Sequence, residues 1–437
     1  MSTTDKVSID TRKLFILRDK LSRKAKQEPE FRFYSLYCHV YREDTLWEAW
    51  RRVKRNKGSP GLDGISFNQI EESQGGVFGF LEGIRLSLQA KTYNPSSLKR
   101  VYIDKPDGGK RLLAIPTITD RVVQMACLLI LEPIFEADFE DCSYGFRPGR
   151  SAKDAVAEIQ RNVNAGLTGV YDADIKGYFD NIDHQKLIGL LEQRIADRSI
   201  LHLIRLWLRC PVVEVDKCSG KKRYTYPKKG SPQGGVISPL LANIYLHELD
   251  RRLHGPEGKL SQFNARLVRY ADDFVILARF IGFEIEAMVR HIIETLLGLT
   301  LHPRKTRILN LKQPGSRLDF LSFSFRFDRD LHGRDHTYLN IFPSEKAFAK
   351  VQNDLRAITR SSNKLPIKKV IGQVNQVCKG WSTYFNYGYP RKVFRALNWY
   401  AQRRLIGFLK RRSQRPPRRR TDESWYLYLR RKGFKAI

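Results

Sequence analysis

The spacing of apolar residues divides the chain into an irregular mixture of strands and helices. Short apolar or alternating runs predict a hairpin over residues 98–116, a strand over 170–175 and a second hairpin over 212–226. Apolar residues throughout residues 120–135 predict a buried helix. Apolar residues at every third or fourth position predict one or two helices over residues 185–208. Strands and helices do not alternate regularly, and this pattern favours an α+β fold.

Helical spacing dominates the last third of the chain. Helices are predicted over residues 344–361, with Ser344 as the N-cap, and then over about 367–385 and about 393–411. The short links between these helices indicate a small bundle. Residues 391–437 contain 16 Lys and Arg against 2 Asp and Glu, so this end is the most basic part of the chain.

The charge of the whole chain points to an anionic partner. The 437 residues include 78 Lys and Arg against 46 Asp and Glu, a formal net charge of +32. With 42% hydrophobic residues the chain can bury a core, so it is not a disordered polycation. An anionic partner relieves the self-repulsion of so large a charge. Nucleic acid is the first candidate, an anionic membrane surface the second and an acidic protein the third.

Signals for export, membrane insertion and disulfide bonding are missing from the sequence. We find no run of 18 apolar residues and no apolar signal core near the N-terminus, so we expect a cytoplasmic protein without membrane contact. The cysteines are far apart, form no Cys-x-x-Cys pair and predict reduced thiols. They are Cys38, Cys127, Cys142, Cys210, Cys218 and Cys378.

Carboxylates next to short apolar runs are the sharpest chemical signal. Asp272 and Asp273 lie at the tip of a predicted hairpin over residues 267–278, where like charges repel each other. Asp172 and Asp174 end another apolar strand and share one of its faces. An exposed polar turn is the alternative for the Asp pair alone. A divalent cation would remove the repulsion, and carboxylates from two strands on a basic protein favour a polymerase or a nuclease.

Five sequence blocks, in this order, resemble the motifs of bacterial group II intron reverse transcriptases, the intron-encoded maturases. The blocks are IPTITDRVVQ, SYGFRPGRSAKDAV, DADIKGYFDNIDH, GSPQGGVISPLLANIYLHELD and YADDFVIL. The resemblance covers about residues 58–381 and implies a right-hand polymerase, with fingers, an antiparallel palm sheet with helices, and a helical thumb. The implied domains are an N-terminal extension with a template-clamping loop (1–90), fingers and palm (91–342), and a thumb or maturase (X) domain (343–437).

The resemblance also implies roles for individual residues. The catalytic residues would be Asp174, Asp272, Asp273 and Lys305, with Lys305 as a general acid near the pyrophosphate. The three aspartates and the main-chain carbonyl of Ile175 would bind two Mg²⁺ ions, or Mn²⁺ in their place.

Further positions match residues that contact the nucleotide or the template. The nucleotide-binding residues would be Lys105, Arg111, Ile175, Phe179 and Gln233. Phe179 would exclude a ribose 2′-OH and so select dNTPs, with a core Phe as the alternative. The template-binding residues would be Arg147, Arg150 and Gly234, with an Asp or Glu partner as the alternative for both arginines. Trp381 would either stack on bases or pack in the core of the bundle.

These expectations describe an RNA-directed DNA polymerase that copies RNA into cDNA from dNTPs by two-metal phosphoryl transfer. The expected partners are an RNA template with its primer and a structured intron or other cognate RNA, and maturase activity is the expected second function. The sequence after the thumb contains no Cys-rich His-Asn-His motif, which keeps open a group II-like enzyme without an endonuclease, used in phage defence or DNA repair. A non-catalytic splicing maturase stays open too, as does an RNA-dependent RNA polymerase, which Phe179 disfavours.

Overall fold

The structure, a computed structural model, describes residues 10–104, 109–216, 219–256, 258–329, 337–360, 364–412 and 423–437. Helices and strands follow one another irregularly in these residues, which confirms the α+β class. The predicted residue Lys105 and most of the predicted Asp107-Gly108-Gly109 turn lie outside the described residues, as does Cys218.

The helices and strands have the following bounds. The helices are α1 (Arg12–Gln27), α2 (Tyr37–Val40), α3 (Glu43–Arg55), α4 (Phe67–Glu72), α5 (Gly76–Gln89), α6 (Ile118–Phe135), α7 (Ala152–Asn164), α8 (Tyr178–Asn181), α9 (His184–Glu192), α10 (Arg198–Arg209), α11 (Ser238–Leu253), α12 (Phe283–Arg290), α13 (Glu345–Ile358), α14 (Ile367–Tyr384), α15 (Arg391–Arg412) and α16 (Trp425–Arg431). The strands are β1 (Leu98–Asp104), β2 (Lys110–Ile115), β3 (Gly169–Ala173), β4 (Val212–Val215), β5 (Lys222–Thr225), β6 (Arg266–Tyr270), β7 (Asp273–Ala278), β8 (Arg307–Asn310), β9 (Leu318–Phe320), β10 (Phe323–Arg329) and β11 (Thr337–Pro343).

The two predicted hairpins form one four-stranded sheet of order β2-β1-β4-β5. Strands β1 and β2 pair antiparallel, with Lys99 opposite Ile115 and Asp104 opposite Lys110. Strand β4 joins β1 in parallel through Leu98 and Lys99, and β5 pairs antiparallel with β4. The hairpin predictions for residues 98–116 and 212–226 are therefore confirmed.

A second four-stranded sheet has the order β6-β7-β3-β8. The predicted strand over residues 170–175 is β3, and the predicted hairpin over residues 267–278 is β6 and β7. Helix α6 is buried along most of its length, as its continuous apolar run predicts, and Thr117 caps its start by accepting a hydrogen bond from the amide of Asp120. Helices α9 and α10 divide the region predicted as one or two helices.

Two compact units make up the chain. One comprises residues 1–151, 173–276 and 282–307, and the other comprises residues 152–172, 277–281 and 308–437. The predicted domain limits at residues 90 and 342 stay predictions.

The second unit contains the predicted helical bundle. Helices α13, α14 and α15 match the three predicted helices, and Ser344 caps α13 as expected. Their buried apolar faces share one core, against which Trp381 packs, as its core-packing alternative predicts. The sequence interpretation missed the fourth helix, α16, and the three-stranded antiparallel sheet β11-β10-β9.

The structure also bears on disulfide bonds and on membrane-spanning helices, neither of which the sequence predicts. Of the six cysteines, the five that the structure describes are free thiols. Within the described ranges, no helix combines the length and the apolar character needed to cross a membrane.

Candidate active site

The turn between β6 and β7 presents Asp272 and Asp273. Ala271 begins this turn in the left-handed region, with φ of +58°. Asp272 is half-buried and Asp273 is exposed, whereas the strand residues on both sides are largely buried. A tight turn on a buried hairpin therefore holds two carboxylates at the edge of the sheet.

Asp174 follows β3 and is fixed by its main chain. Its carbonyl accepts a hydrogen bond from the amide of His302 (2.8 Å), and the amide of Lys176 donates to the carbonyl of Thr300 (2.8 Å). These bonds flank an isolated antiparallel bridge of Ile175 with Leu301. The same connection brings Lys305 to the carboxylate, because Nζ of Lys305 donates to Oδ2 of Asp174 at 2.9 Å.

The pKa of Asp272 reveals its electrostatic neighbours. Burial of the carboxyl group is the main cause that raises this pKa above its usual value, and the charge of Asp174 raises it further. The cations Arg111 and Arg269 act in the opposite direction. Asp174 and Arg111 therefore both lie within electrostatic reach of Asp272.

The chemistry of these side chains suits a hard divalent cation. Asp174, Asp272 and Asp273 offer carboxylate oxygens, and Ile175 offers a main-chain carbonyl, which are the donors that Mg²⁺ prefers. A cation would also offset the charge of Asp174, which adds to the effect of burial in raising the pKa of Asp272. In the part of the chain that the structure describes, no group of three or more His, Cys, Asp or Glu side chains is arranged to hold a metal, so the fit to a cation rests on the chemistry of the donors.

Phe179 lies on the short helix α8, close to the glycine-rich loop over residues 230–235. Gly177 precedes this helix as its N-cap, with a φ of +56°. Phe179 is half-buried, with its ring 5.4 Å from that of the buried Tyr178. Its carbonyl accepts a hydrogen bond from the amide of Ser231 (2.7 Å). Phe179 is therefore not a fully buried core residue, and the loop fixes its backbone.

The loop also contacts the first sheet through Gln233 and Gly234. The amide of Ala114 in β2 donates to the carbonyl of Gln233 at 2.8 Å. Gly234 has a φ of +121°, and a Cβ atom there would lie 2.8 Å from the carbonyl oxygen of Ala114. This approach requires glycine, and it sets Gln233 beside the strand that carries Arg111.

Gly234→Ala is expected to destabilise the protein by about 1–3 kcal/mol, because it combines a strained φ with a main-chain clash. Gly189→Ala is the matched control. Gly189 lies inside α9 with open space around it, so alanine should stabilise by about 0.5–1 kcal/mol. Denaturant unfolding of both variants measures the difference. Equal stabilities would show that the contact with Ala114 does not constrain the loop.

The structure gives Arg147 a carboxylate partner in place of the expected template contact. Its side chain is 2% exposed and pairs with Glu136 at 2.7 Å. It also donates to the carbonyls of Phe139, Glu140 and Ser143. These groups use the guanidinium inside the protein, so Arg147 holds the surrounding loop together.

Arg150 has a carboxylate partner too, but it stays nearer to the surface. Its guanidinium pairs with Asp141 at 2.5 Å, and its side chain is 24% exposed. A template contact by Arg150 stays a prediction.

The sequence interpretation missed a buried network under the Asp272 turn. The side chain of Arg269 in β6 is fully buried and pairs through two nitrogens with Asp250 of α11, which is also fully buried. It further donates to Oδ1 of Asn243 (3.0 Å), to Oγ of Ser143 (2.7 Å) and to the carbonyl of Ala271 (2.9 Å). All five N–H groups of the guanidinium are thus used, one of them on the residue before Asp272.

Gly145 belongs to the same arrangement. Its carbonyl accepts a hydrogen bond from Asn243 (2.8 Å), and a Cβ atom at this position would collide with the main chain of Ala271. The sequence does carry a signal for the network, since Arg269 interrupts an otherwise apolar strand. A charged residue within an apolar strand either lies on an edge strand in contact with solvent or is buried with a partner of opposite charge.

Comparisons with known proteins identify the family of the chain. Residues 103–387 match the family model described as reverse transcriptase (RNA-dependent DNA polymerase). Group II intron-encoded protein LtrA of Lactococcus lactis subsp. cremoris is 39% identical over 237 residues, which are 53% of this chain and 37% of LtrA. Protein YkfC of Escherichia coli strain K12 is 32% identical over an alignment of 327 residues, which covers 67% of this chain and 84% of YkfC.

A solved structure of telomerase from Candida albicans is also similar, with a TM-score of 0.41, 13% identity and coverage of 74% of this chain and 62% of the telomerase chain. At this TM-score the likeness supports no inference on its own. The family match spans well over half of this chain and includes Asp174, Asp272 and Asp273. The chain belongs to the reverse transcriptase (RNA-dependent DNA polymerase) family.

Proposed function

We propose that this chain is an RNA-directed DNA polymerase that copies RNA into cDNA from dNTPs. The observation that carries the proposal is the electrostatic coupling of Asp174 with Asp272, beside Arg111 and Lys305. In phosphoryl transfer, the two carboxylates would bind the metal ions and the two cations would bind the phosphate groups. The cytoplasmic location expected from the sequence is part of the proposal.

Reverse transcriptases generally use divalent metal ions. We assign two Mg²⁺ ions, or Mn²⁺ in their place, to Asp174, Asp272, Asp273 and the carbonyl of Ile175. When bound, such ions stabilise the attacking and the leaving oxygen of phosphoryl transfer.

The protein's own cations have separate roles in the proposal. Arg111, on the exposed part of β2, would hold the triphosphate, since a guanidinium binds phosphate oxygens in pairs. Lys305 holds its ammonium against Asp174 and would donate a proton from Nζ to the leaving pyrophosphate. Lys105 keeps its predicted role on the triphosphate.

Primer extension tests the proposal directly. The protein, a DNA primer annealed to an RNA template, dNTPs and Mg²⁺ should give full-length cDNA, and EDTA should stop the synthesis. Extension with NTPs but not dNTPs would support an RNA polymerase instead. No incorporation of either nucleotide by the folded protein would leave only the non-catalytic maturase.

Phe179→Val should relax the choice between dNTPs and NTPs. Removing the ring opens space for a 2′-OH, and we expect the dNTP/NTP ratio of kcat/KM to fall by about tenfold to a hundredfold. Single-nucleotide incorporation measures both values. Phe283→Val is the matched control, because Phe283 is 80% exposed on α12 and should leave the ratio unchanged. An unchanged ratio in Phe179→Val would refute the role of this ring.

We also propose that the chain binds a structured RNA and promotes intron splicing. One observation favours this second function: cations lie over exposed aromatic rings in the second unit, as Arg403 does over Trp399 at 4.5 Å. Trp399 is 59% exposed, so its ring is accessible to a base. Among the relatives, LtrA is named as group II intron-encoded and spans far beyond this chain. A splicing assay with candidate intron RNA, run with Asp272→Asn, separates this function from polymerisation.

A further inference from the structure

Helix α10 presents a row of basic side chains, three arginines and one histidine, on its outer face. Arg198, His202, Arg205 and Arg209 follow one another at spacings of four, three and four residues, which places them on one side of the helix. The row extends about 16 Å along the axis. Arg198, His202 and Arg209 are exposed and Arg205 is half-buried. The opposite side of α10 is apolar and buried.

Three neighbouring clefts meet along this row. They have volumes of about 370, 410 and 230 Å³. Arg205 lines all three, His202 lines the first two, and Arg209 lines the first and the third. The second cleft adds Lys91 and Arg198. The clefts and the row of cations therefore form one continuous surface, which we call the α10 track.

The α10 track has a large excess of positive charge. Among the described residues that line the three clefts, Glu192 is the one carboxylate, and it pairs with Arg205 at 2.9 Å. Within the described ranges, Arg198 and Arg209 make no ion pair. Several exposed arginines on other helices, in contrast, pair with carboxylates three or four residues away, as Arg23, Arg161 and Arg290 do. Unpaired cations at this density repel one another unless an anion lies between them.

We propose that the α10 track binds the sugar-phosphate backbone of RNA, outside the catalytic carboxylates. Two features select RNA as the occupant: a linear row of basic side chains, and a series of open clefts rather than one enclosed pocket. None of the track residues belongs to the metal or nucleotide positions assigned above. The α10 track extends the surface that contacts RNA, and this contact does not depend on polymerase activity.

The test variant is Arg198→Gln/Arg205→Gln/Arg209→Gln. Its matched control, Arg251→Gln/Lys259→Gln/Arg266→Gln, removes the same charge at other exposed positions of the first unit. Anisotropy of a labelled 40-nucleotide RNA is measured over a salt series without nucleotides. Each lost phosphate contact should lower the salt slope by about 0.7–0.9, so the track variant should lose about 2 from the slope and at least tenfold in affinity. The control should change much less.

A second readout locates the contact. A 4-thiouridine-containing RNA should crosslink to the peptide that includes residues 198–209 in the wild type, and thermal unfolding should show that the variant is folded. Equal affinities and slopes for the track variant and its control would overturn the proposal, as would crosslinks confined to other peptides. Binding of an acidic protein, without any change in RNA affinity, would also refute it. Because no dNTP is used, these outcomes are independent of whether the chain polymerises DNA.

Discussion

Asp272→Asn should abolish DNA synthesis and yet leave the protein as stable as the wild type or more stable. Asparagine keeps the shape of the side chain but removes the charge that phosphoryl transfer needs at the metal. We expect primer extension to fall by about 10³-fold or more, equivalent to about 4 kcal/mol in the barrier. Asp172→Asn is the matched control, since it removes a carboxylate that ends the neighbouring strand without a catalytic role.

The expected gain in stability follows from the pKa of Asp272. Burial and the charge of Asp174 raise this pKa in the folded protein, so ionisation of the carboxyl group disfavours the folded state. This loss of folding stability is absent at low pH, where the Asp272 carboxyl group is protonated. It grows as the pH rises through the pKa of Asp272 in the folded protein. In metal-free buffer the stability of Asp272→Asn, relative to the wild type, should therefore rise with pH. A stability loss that matches the activity loss would mean that Asp272 is structural.

Arg269→Met should be the most destabilising of the single substitutions considered. It leaves Asp250 charged and fully buried, and it removes the donors for Asn243, Ser143 and Ala271. Loss of one partner of a buried ion pair costs about 3–5 kcal/mol. Arg266→Met is the control, because Arg266 is exposed on the same strand and its loss should change stability by less than about 0.5 kcal/mol.

Arg269→Lys separates positioning from general stability. Lysine keeps the charge opposite Asp250, so it should recover part of the unfolding free energy, but it cannot supply five donors. The carbonyl of Ala271 would lose its anchor, and kcat for nucleotide addition should stay low while KM for the dNTP changes little. Denaturant unfolding and steady-state kinetics together measure this. Full recovery of kcat in Arg269→Lys would show that a positive charge opposite Asp250 is enough for catalysis and that the hydrogen bond to Ala271 is not required.

Local pattern is enough to predict the elements that present the site. The hairpin of residues 267–278 and the strand before Asp174 are short apolar runs, whose ends can be located without knowing their partners. The sheet of β9, β10 and β11 is the exception, because the interpretation of the sequence missed it. The signal there is the alternation of Phe323 and Phe325 with polar residues, which is typical of a strand with one buried face.

Partners that are distant in the sequence could not be predicted in the same way. Asp250 and Ser143 lie 19 and 126 residues from Arg269, and nothing local links them. Arg147 illustrates the same limit, because its sequence fits either a template phosphate or a buried carboxylate and only its burial against Glu136 decides. The motifs in the sequence point to candidate positions, whereas the fold determines which side chains these residues contact.

Hydrogen bonds hold the β1–β2 hairpin at the end that contains Ala114, so bending there would move the opposite end. Ala114 is tied to Gln233, and Lys99 on the adjacent strand is tied to β4, so both strands are fixed at the same end. Arg111 lies three residues from Ala114, about 10 Å away along the strand. A bend of about 10° at Ala114 would therefore carry the Arg111 main chain by about 2 Å. If Arg111 holds the triphosphate as proposed, a displacement of this size is enough to move a phosphate oxygen into or out of hydrogen-bond range.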